Sequence, residues 1–267
     1  MALVLGDVDG DGDADLIVGN ANFAGEPNRL YLNDGSGTMI DASGQLPSVV
    51  DITHALALGD VDGDLDLDLI VGNHGALSSG AQNRLYLNDG AGMFVDATPQ
   101  LPGSNDITRD LGLGDLDGDR DLDLVVANAG ADRLLLNDGA GIFADVSQPR
   151  LPAASQRLTF AVALADVDAD GDLDLAFGDA NIFMPQTNRL YLNDGAGTFT
   201  DASAQLPADA DYTVALVFGD VDGDGDPDLV CGNDRFERNR PYLNDGLGLF
   251  TDAAAAGCRP TLSLPQR

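Results

Sequence analysis

The sequence predicts an all-β protein, a β-propeller of five four-stranded antiparallel blades, on three observations. An acidic loop, first met as "GDVDGDGDADLIVGN" (Gly6 to Asn20), returns five times, its first aspartate standing at Asp7, Asp60, Asp115, Asp166 and Asp220, at intervals of 53, 55, 51 and 54 residues. Each copy is followed at similar distance by an Asn-Asp-Gly turn, at Asn33, Asn88, Asn137, Asn193 and Asn244. The segments between them are short, rich in Leu, Ile and Val, and show no helical apolar period. Repeats of about 50 residues, each holding several short strands, point to a propeller.

Each repeat divides in the same way. An apolar segment such as "HALALGD" runs into the acidic loop and leaves it as "LDLIVGN", giving a first and a second strand. After a variable loop, "NRLYLNDG" supplies a third strand and the turn of a hairpin, because Asn, Asp and Gly tolerate the positive φ that tight turns demand. A short fourth strand such as "GMFVDAT" follows, and a connection containing Leu-Pro leads onward. The first strands carry small residues (Ala55, Ala57, Gly112, Ala161, Ala163, Ala215), as crowding around a common axis requires. We expect one domain over residues 1–267, with blades near 2–47, 53–102, 108–152, 159–207 and 213–257 and a tail over 258–267. The tail "PTLSLPQR" partly echoes "YTVALVFGD" and is a candidate for a closing strand or a contact with a neighbouring molecule.

Charge narrows the partners. The chain has 45 acidic and 13 basic residues, a formal net charge of -32, and no lysine. A field of that sign repels nucleic acid and anionic bilayers and attracts cations. Disorder is the alternative for so acidic a chain, but here the acids are interleaved with apolar strands. No apolar run reaches transmembrane length and no signal peptide is present, so the chain reads as a mature or excised domain. Two cysteines, Cys231 and Cys258, make no disulfide framework; Cys231 replaces an apolar strand residue and is expected to be a buried free thiol.

The acidic loops hold 25 of the 45 acidic residues, and like charges packed this closely call for a cation. Calcium takes six to eight oxygens, and aspartates on alternate positions turn several carboxylates to one centre. The candidate metal residues are Asp7, Asp9, Asp11, Asp13 and Asp15; Asp60, Asp62, Asp64, Asp66 and Asp68; Asp115, Asp117, Asp119, Asp121 and Asp123; Asp166, Asp168, Asp170, Asp172 and Asp174; and Asp220, Asp222, Asp224, Asp226 and Asp228. Positions one, three and five are expected to offer side-chain oxygens, position seven its backbone carbonyl, and position nine to close the cage. The pattern is not an EF-hand, since position twelve is apolar or Cys and lies in a strand. Up to five Ca²⁺ ions are expected, one per repeat. Leu65 and Arg120 stand where Gly12 and Gly171 occupy the sharp turn, so those two loops are expected to be strained, and Arg120 makes the third site the weakest.

"DVDGDGDADLIVGN" together with "NRLYLNDGAGTF" resembles the FG-GAP/VCBS repeat of integrin α-subunit propellers and many bacterial extracellular proteins. The resemblance spans nearly the whole chain. It implies a propeller with Ca²⁺ in the loop between the first and second strands of each blade. Integrin heads have seven blades, so five repeats either close a compact ring or belong to a larger propeller.

Motifs of catalysis are missing: there is no Gly-x-Ser-x-Gly elbow, P-loop or His-Glu-x-x-His. The expected function is non-enzymatic: a secreted or cell-surface module for adhesion or ligand recognition, stiffened by Ca²⁺, with a protein or polysaccharide as partner. A lectin, a self-assembling fibre subunit associating through the tail and blade edges, and a propeller-based polysaccharide lyase are the alternatives. The second-to-third-strand loops differ in length and content, the mark of a binding face on a constant scaffold. Phe23, His74, Phe183, Met184, Arg235 and Phe236 are its candidate ligand-binding residues. The repeated Arg29, Arg84, Arg133, Arg189 and Arg240 are expected to pair with carboxylates and fasten one blade to the next.

Overall fold

The computed structural model describes residues 1–21, 25–75, 79–153, 157–180 and 186–253. It is all-β. The first unit is the antiparallel sheet β1 (Ala2–Gly6), β2 (Asp15–Gly19), β3 (Arg29–Asn33) and β4 (Met39–Asp41), in that order. The second is β5 (Thr53–Gly59), β6 (Asp68–Asn73), β7 (Arg84–Asn88) and β8 (Phe94–Asp96). The third is β9 (Thr108–Gly114), β10 (Asp123–Gly130), β11 (Arg133–Asn137) and β12 (Phe143–Asp145). The fourth begins with β13 (Arg157–Ala165) and β14 (Asp174–Asp179); the two-residue β15 (Gln186–Thr187) intervenes before β16 (Arg189–Asn193) and β17 (Phe199–Asp201). A further two-residue strand, β18 (Ala210–Asp211), pairs with β15 and precedes the fifth unit: β19 (Thr213–Gly219), β20 (Asp228–Asn233), β21 (Arg240–Asn244) and β22 (Phe250–Asp252). Pairing of Ala129 with Leu158 and Gly130 with Arg157 joins the third and fourth units along one edge.

The acidic loop connects the first two strands of every unit, and the Asn-Asp-Gly turn connects the last two. After the fourth strand the chain makes a single helical turn at Ser43–Gln45, Thr98–Gln100 and Ser203–Gln205, and a distorted turn with non-helical backbone at Gln148 in Ser147–Arg150, which the sequence pattern did not announce. It is set by Asp-x-Ser: Ser43 donates both its N–H and its hydroxyl to Asp41 Oδ1, and Ser203 does the same to Asp201. The turn delivers a leucine (Leu46, Leu101, Leu151, Leu206) into the core.

That core is four clusters, one at each junction between consecutive units. Val8, Ile17 and Leu30 of the first unit meet Leu69, Val71, Tyr86 and Phe94 of the second. Val61, Ile70 and Leu85 then meet Leu124, Val126, Leu135 and Phe143, and the scheme recurs between the third and fourth units and between the fourth and fifth. Each of the three middle sheets thus buries both faces, one against each neighbour, which is why β6, β10 and β14 read as continuous apolar runs. The first strands lie side by side, β1 against β5, β5 against β9, β9 against β13 and β13 against β19. A closed ring needs a fifth cluster, between the fifth unit and the first, and among the described residues there is none. Of the two expectations, a compact five-bladed ring or part of a larger propeller, the described residues do not form the junction that would close the ring, and the outer faces of the first and fifth units meet no other unit among them.

Polar contacts repeat across the same junctions. The asparagine that opens each Asn-Asp-Gly turn donates from Nδ2 to a backbone carbonyl in the preceding unit's acidic loop: Asn88 to Val8 (2.8 Å), Asn137 to Val61 (2.7 Å), Asn193 to Leu116 (2.9 Å) and Asn244 to Val167 (2.8 Å). A buried threonine near the start of the first strand adds a second link at two junctions: Thr108 Oγ1 reaches Asn83 of the second unit and Asn128 of the third, and Thr159 Oγ1 reaches Asp132 of the third and Asp179 of the fourth. The arginines fasten the junctions as expected. Arg84 pairs with Asp51, Arg133 with Asp106 at 3.0 Å, and Arg240 with Asp211. The buried Arg189 holds Asp132 of the third unit and Asp179 of the fourth, each at 2.8 Å. Arg29, in the first unit, pairs among the described residues with the exposed Asp41 alone, at 3.8 Å.

Replacing Asn137 by Ala removes a buried donor bridging two units and leaves the Val61 carbonyl without it, so Asn137→Ala should cost about 1–3 kcal/mol in chemical denaturation. Asn33, whose Nδ2 reaches only Ala14 of its own unit at 3.3 Å, keeps the same turn without the bridge, and Asn33→Ala should cost about 1 kcal/mol less.

Candidate functional site

The acidic loops fold on their own aspartates. At position one, Asp7 accepts the Gly10 N–H on Oδ1 and the Gly12 N–H on Oδ2, both at 2.9 Å. Asp60 does the same with Gly63 (2.8 Å) and Leu65 (3.0 Å), and Asp115 with Gly118 (2.8 Å) and Arg120 (3.0 Å). Position nine is the first residue of the second strand and is buried in every unit. There Asp68 accepts the Val61 N–H at 3.0 Å and the Asn88 N–H at 2.9 Å, tying the loop to the end of the third strand. Position three points between these two. In all five loops one carboxylate oxygen from each of positions one, three and nine lies within 4.8 Å of the others: Asp7, Asp9 and Asp15; Asp60, Asp62 and Asp68; Asp115, Asp117 and Asp123; Asp166, Asp168 and Asp174; Asp220, Asp222 and Asp228.

The alternation led us to expect side-chain oxygens from positions one, three and five, the backbone carbonyl of position seven, and position nine closing the cage; of these, the structure brings one, three and nine within 4.8 Å of one another. At position five, Asp11, Asp64, Asp119, Asp170 and Asp224 each accept the N–H of position seven, bracing the turn. The position-seven carboxylates of Asp13, Asp66, Asp121, Asp172 and Asp226 lie against the glycine of the Asn-Asp-Gly turn, where a methyl group on Gly90 would come within 2.5 Å of Asp66 Oδ2. Strict alternation cannot distinguish these roles, because they are decided by the third strand folding back over the loop.

The triads are electrostatically unfavourable by themselves. Burial pushes the carboxyls of Asp68, Asp123 and Asp174 up to about 6. Burial and then the neighbouring aspartates raise those of Asp9, Asp62, Asp117, Asp168 and Asp222. Asp62 Oδ1, Asp117 Oδ1 and Asp168 Oδ1 are buried without any hydrogen-bond partner. A buried acceptor left unpaired is costly, and a hard cation relieves both this cost and the mutual repulsion. Oxygens about 2.4 Å from one ion lie up to about 4.8 Å apart, so the triads fit a calcium-sized cation held by oxygen ligands alone. Asp62, Asp68 and Asp60 would hold it in the second loop, and the matching residues in the others.

A profile of the FG-GAP-like repeat matches residues 7–71, 75–126, 115–177 and 178–231, so each matched stretch spans an acidic loop or the strands that follow it. The chain belongs to the FG-GAP-like repeat family. No curated protein sequence matches it. Solved structures of similar fold include an Agrocybe aegerita lectin that recognises non-reducing terminal N-acetylglucosamine, with a TM-score of 0.55 and 19% identity over 93% of this chain and 64% of that one. A putative exo-β-1,3-galactanase from Bifidobacterium bifidum s17 gives a TM-score of 0.52 at 10% identity, over 93% of this chain and 90% of that one. The exotype rhamnogalacturonan lyase YesX gives 0.53 at 16%, over 93% and 48%. The FG-GAP-like chain thus spans under two thirds of the lectin and about half of the lyase, and at these identities the likeness is one of fold.

The other end of the first strands forms the second candidate site of the FG-GAP-like units. Phe23, Phe183 and Met184 lie outside the described residues, as does Cys258; Cys231 is buried as a free thiol. His74 stacks on His54, ring centroids 4.6 Å apart, and its Nδ1 lies 2.9 Å from the Gly75 carbonyl. Arg235 lies over the Tyr212 ring at 4.6 Å. Phe236 is fully exposed. Between these ends runs a row that the sequence reading missed: the Arg109 guanidinium sits 4.9 Å from the Phe160 ring centroid, and Phe160 packs on Tyr212 at 5.6 Å. Its signal was present, since His54, Arg109, Phe160 and Val214 each follow the threonine that opens a first strand. On the same side a groove of about 410 Å³ opens between the second and third units, lined by Asn105, Asn128, Arg133 and Asp145 among others.

Arg109 is anomalous in so acidic a chain. Its Nε is buried without a hydrogen-bond partner, and no carboxylate pairs with it among the described residues. Its neighbour in sequence, Asp110, is spent on the Leu111 and Val162 N–H groups, both at 3.0 Å. Burial alone pulls the Arg109 guanidinium below its usual range.

Strain in the acidic loops is where it was expected. Leu65 and Arg120 adopt φ of 78°, a left-handed conformation that costs a side chain about 1–2 kcal/mol. Leu65→Gly and Arg120→Gly should therefore raise stability by up to about 1 kcal/mol after the greater flexibility of glycine in the unfolded chain is offset. Thermal unfolding at fixed calcium checks this.

Proposed function

We propose that this chain is a non-enzymatic, extracellular recognition module, a run of propeller blades stiffened by calcium that binds a carboxylate-bearing saccharide on the face opposite the metal loops. The observation that carries the ligand class is Arg109, a half-buried guanidinium with which no carboxylate pairs among the described residues of a chain that has 45 acidic ones. A buried charge without a partner is unfavourable. A ligand carboxylate corrects that, and the rings of Phe160 and Tyr212 beside it offer the flat apolar surface against which a sugar ring packs. The names of the neighbouring structures, a lectin and two carbohydrate-active enzymes, support a saccharide rather than a nucleic acid or a lipid surface. The two histidines stack on each other, and burial holds His54 down to about 4, so its imidazole is uncharged at neutral pH and Arg109 is the cation this row offers.

Calcium's role follows from the five triads. Each would supply carboxylates from positions one, three and nine, and the ion would lock the loop to the third strand of its own unit. Protons and calcium compete for the same oxygens. The raised carboxyls near 6 destabilise the metal-free fold above that pH, and this penalty fades as pH falls and they protonate. Calcium binds the ionised form. The rise in melting temperature produced by excess calcium over chelator should be larger at pH 7 than at pH 5, with up to five ions counted by elemental analysis. An equal rise at both pH values, or no bound ion, overturns the metal reading.

The ligand reading is tested by a glycan array followed by calorimetry with uronic-acid oligosaccharides. Arg109→Met should weaken binding roughly 10- to 100-fold, the range for losing a charge-assisted hydrogen-bond pair. Indifference of binding to Arg109→Met, or preference for neutral sugars, overturns it.

A further inference from the structure

We propose that the outer faces of the first and fifth units, which meet no other unit among the described residues, bind each other between copies of this chain, the fifth unit of one molecule seating against the first unit of the next. The two faces are the separated halves of a junction that the molecule builds four times inside itself. At the four internal junctions the second residue of the acidic loop is sealed by the following unit, with Val8 at 1% exposure and Val61, Leu116 and Val167 alike. Its counterpart in the fifth unit, Val221, is 52% exposed, and Val217 of β19 is 58% exposed. The other half lies on the first unit. Phe94, Phe143, Phe199 and Phe250 are all nearly sealed against the preceding unit, whereas Met39, at the same place, is 43% exposed. Leu3 and Leu5 of β1 are exposed, while their counterparts Leu56 and Leu58 pack into a core cluster.

Steric fit repeats the pattern. The first strands of the first three units end in a glycine roofed by two leucines of the next unit: a methyl group on Gly6 would meet Leu58 and Leu67 at 2.8 and 2.9 Å, and Gly59 and Gly114 are covered in the same way. Gly219, at the same place in the fifth unit, has nothing within 4 Å. The hydrogen-bond code is split likewise. Asn33, on the first unit, is the only turn asparagine of the five that reaches no other unit among the described residues, and the loop carbonyl of Val221 is the position that Asn88, Asn137, Asn193 and Asn244 engage in the units before theirs. Arg29 lacks the close carboxylate its four counterparts hold. A second copy supplies both missing halves at once, because any molecule that shows one shows the other. The contact is heterologous, head to tail, and so extends from copy to copy. It uses the end faces of the sheets rather than their outer edges, and it is independent of the ligand reading above.

Sedimentation velocity of the full chain in millimolar calcium tests this. Species larger than the monomer should grow with protein concentration. Val217→Asp blocks the fifth-unit face and Leu5→Asp the first-unit face; both side chains already face water, and unchanged melting confirms the fold, with Val221→Asp and Leu3→Asp as replacements should either variant misfold. Each variant alone should be monomeric. Mixed in equal amounts they should form a dimer of twice the monomer mass that grows no further, since one variant keeps each face. A wild-type chain that stays monomeric at every concentration, as it would if these faces take further repeats of another polypeptide, overturns the proposal. So does a mixture that remains monomeric, or variants that associate as the wild type does.

Discussion

Everything in this molecule depends on one constraint: a four-stranded sheet with two apolar faces cannot bury both by itself. Each unit presents Val, Ile and Leu on both sides of its second and third strands, and only a neighbour of the same kind on either side removes them from water. The small first strands, the glycines roofed by leucines and the asparagines that reach across to a loop carbonyl all serve this one junction. Stability is therefore spread along the series and is weakest at its ends, where half of the junction is missing.

The second organising feature is electrostatic. The aspartates of the acidic loops do three different jobs with one side chain. Position one folds the loop by accepting its N–H groups, position five braces the turn, and positions three and nine converge with position one. Asp68, Asp123 and Asp174 are held near 6 by burial; such groups are tolerated where a cation is available to restore their charge. Calcium supply and pH are then the two external variables to which these loops respond. At the opposite end of the same strands the sign reverses locally, with Arg109 and Arg235 set among rings. A protein whose overall field repels anions thus keeps a small cationic row on its variable face, where short-range contact rather than long-range steering would select a ligand.

Much of this was legible in the residue order. Recurrence of the Asp7 loop and of the Asn33 turn fixed the number of units, their strand content and the side of each unit on which the loops meet. Leu65 and Arg120 were readable as strained from the absence of glycine alone. The arginine ladder was readable too, because a repeated cation in an acidic chain has few alternatives to a carboxylate. The single helical turn at Ser43 escaped notice because one Asp-x-Ser step carries no periodicity. Arg109, Phe160 and Tyr212 escaped because they belong to three different units and come together only when first strands lie side by side.

The sequence by itself determined the repeat, the sheet of each unit and the set of aspartates from which the triads are drawn, since these follow from local patterning with a fixed period. Only the tertiary structure decided that positions one, three and nine converge, because the end of the third strand holds position nine against the loop. It alone decided that the first and fifth units do not meet among the described residues. Closure depends on the angle at which one sheet packs on the next, and that angle is set by side-chain volumes at the junction, which no count of repeats contains.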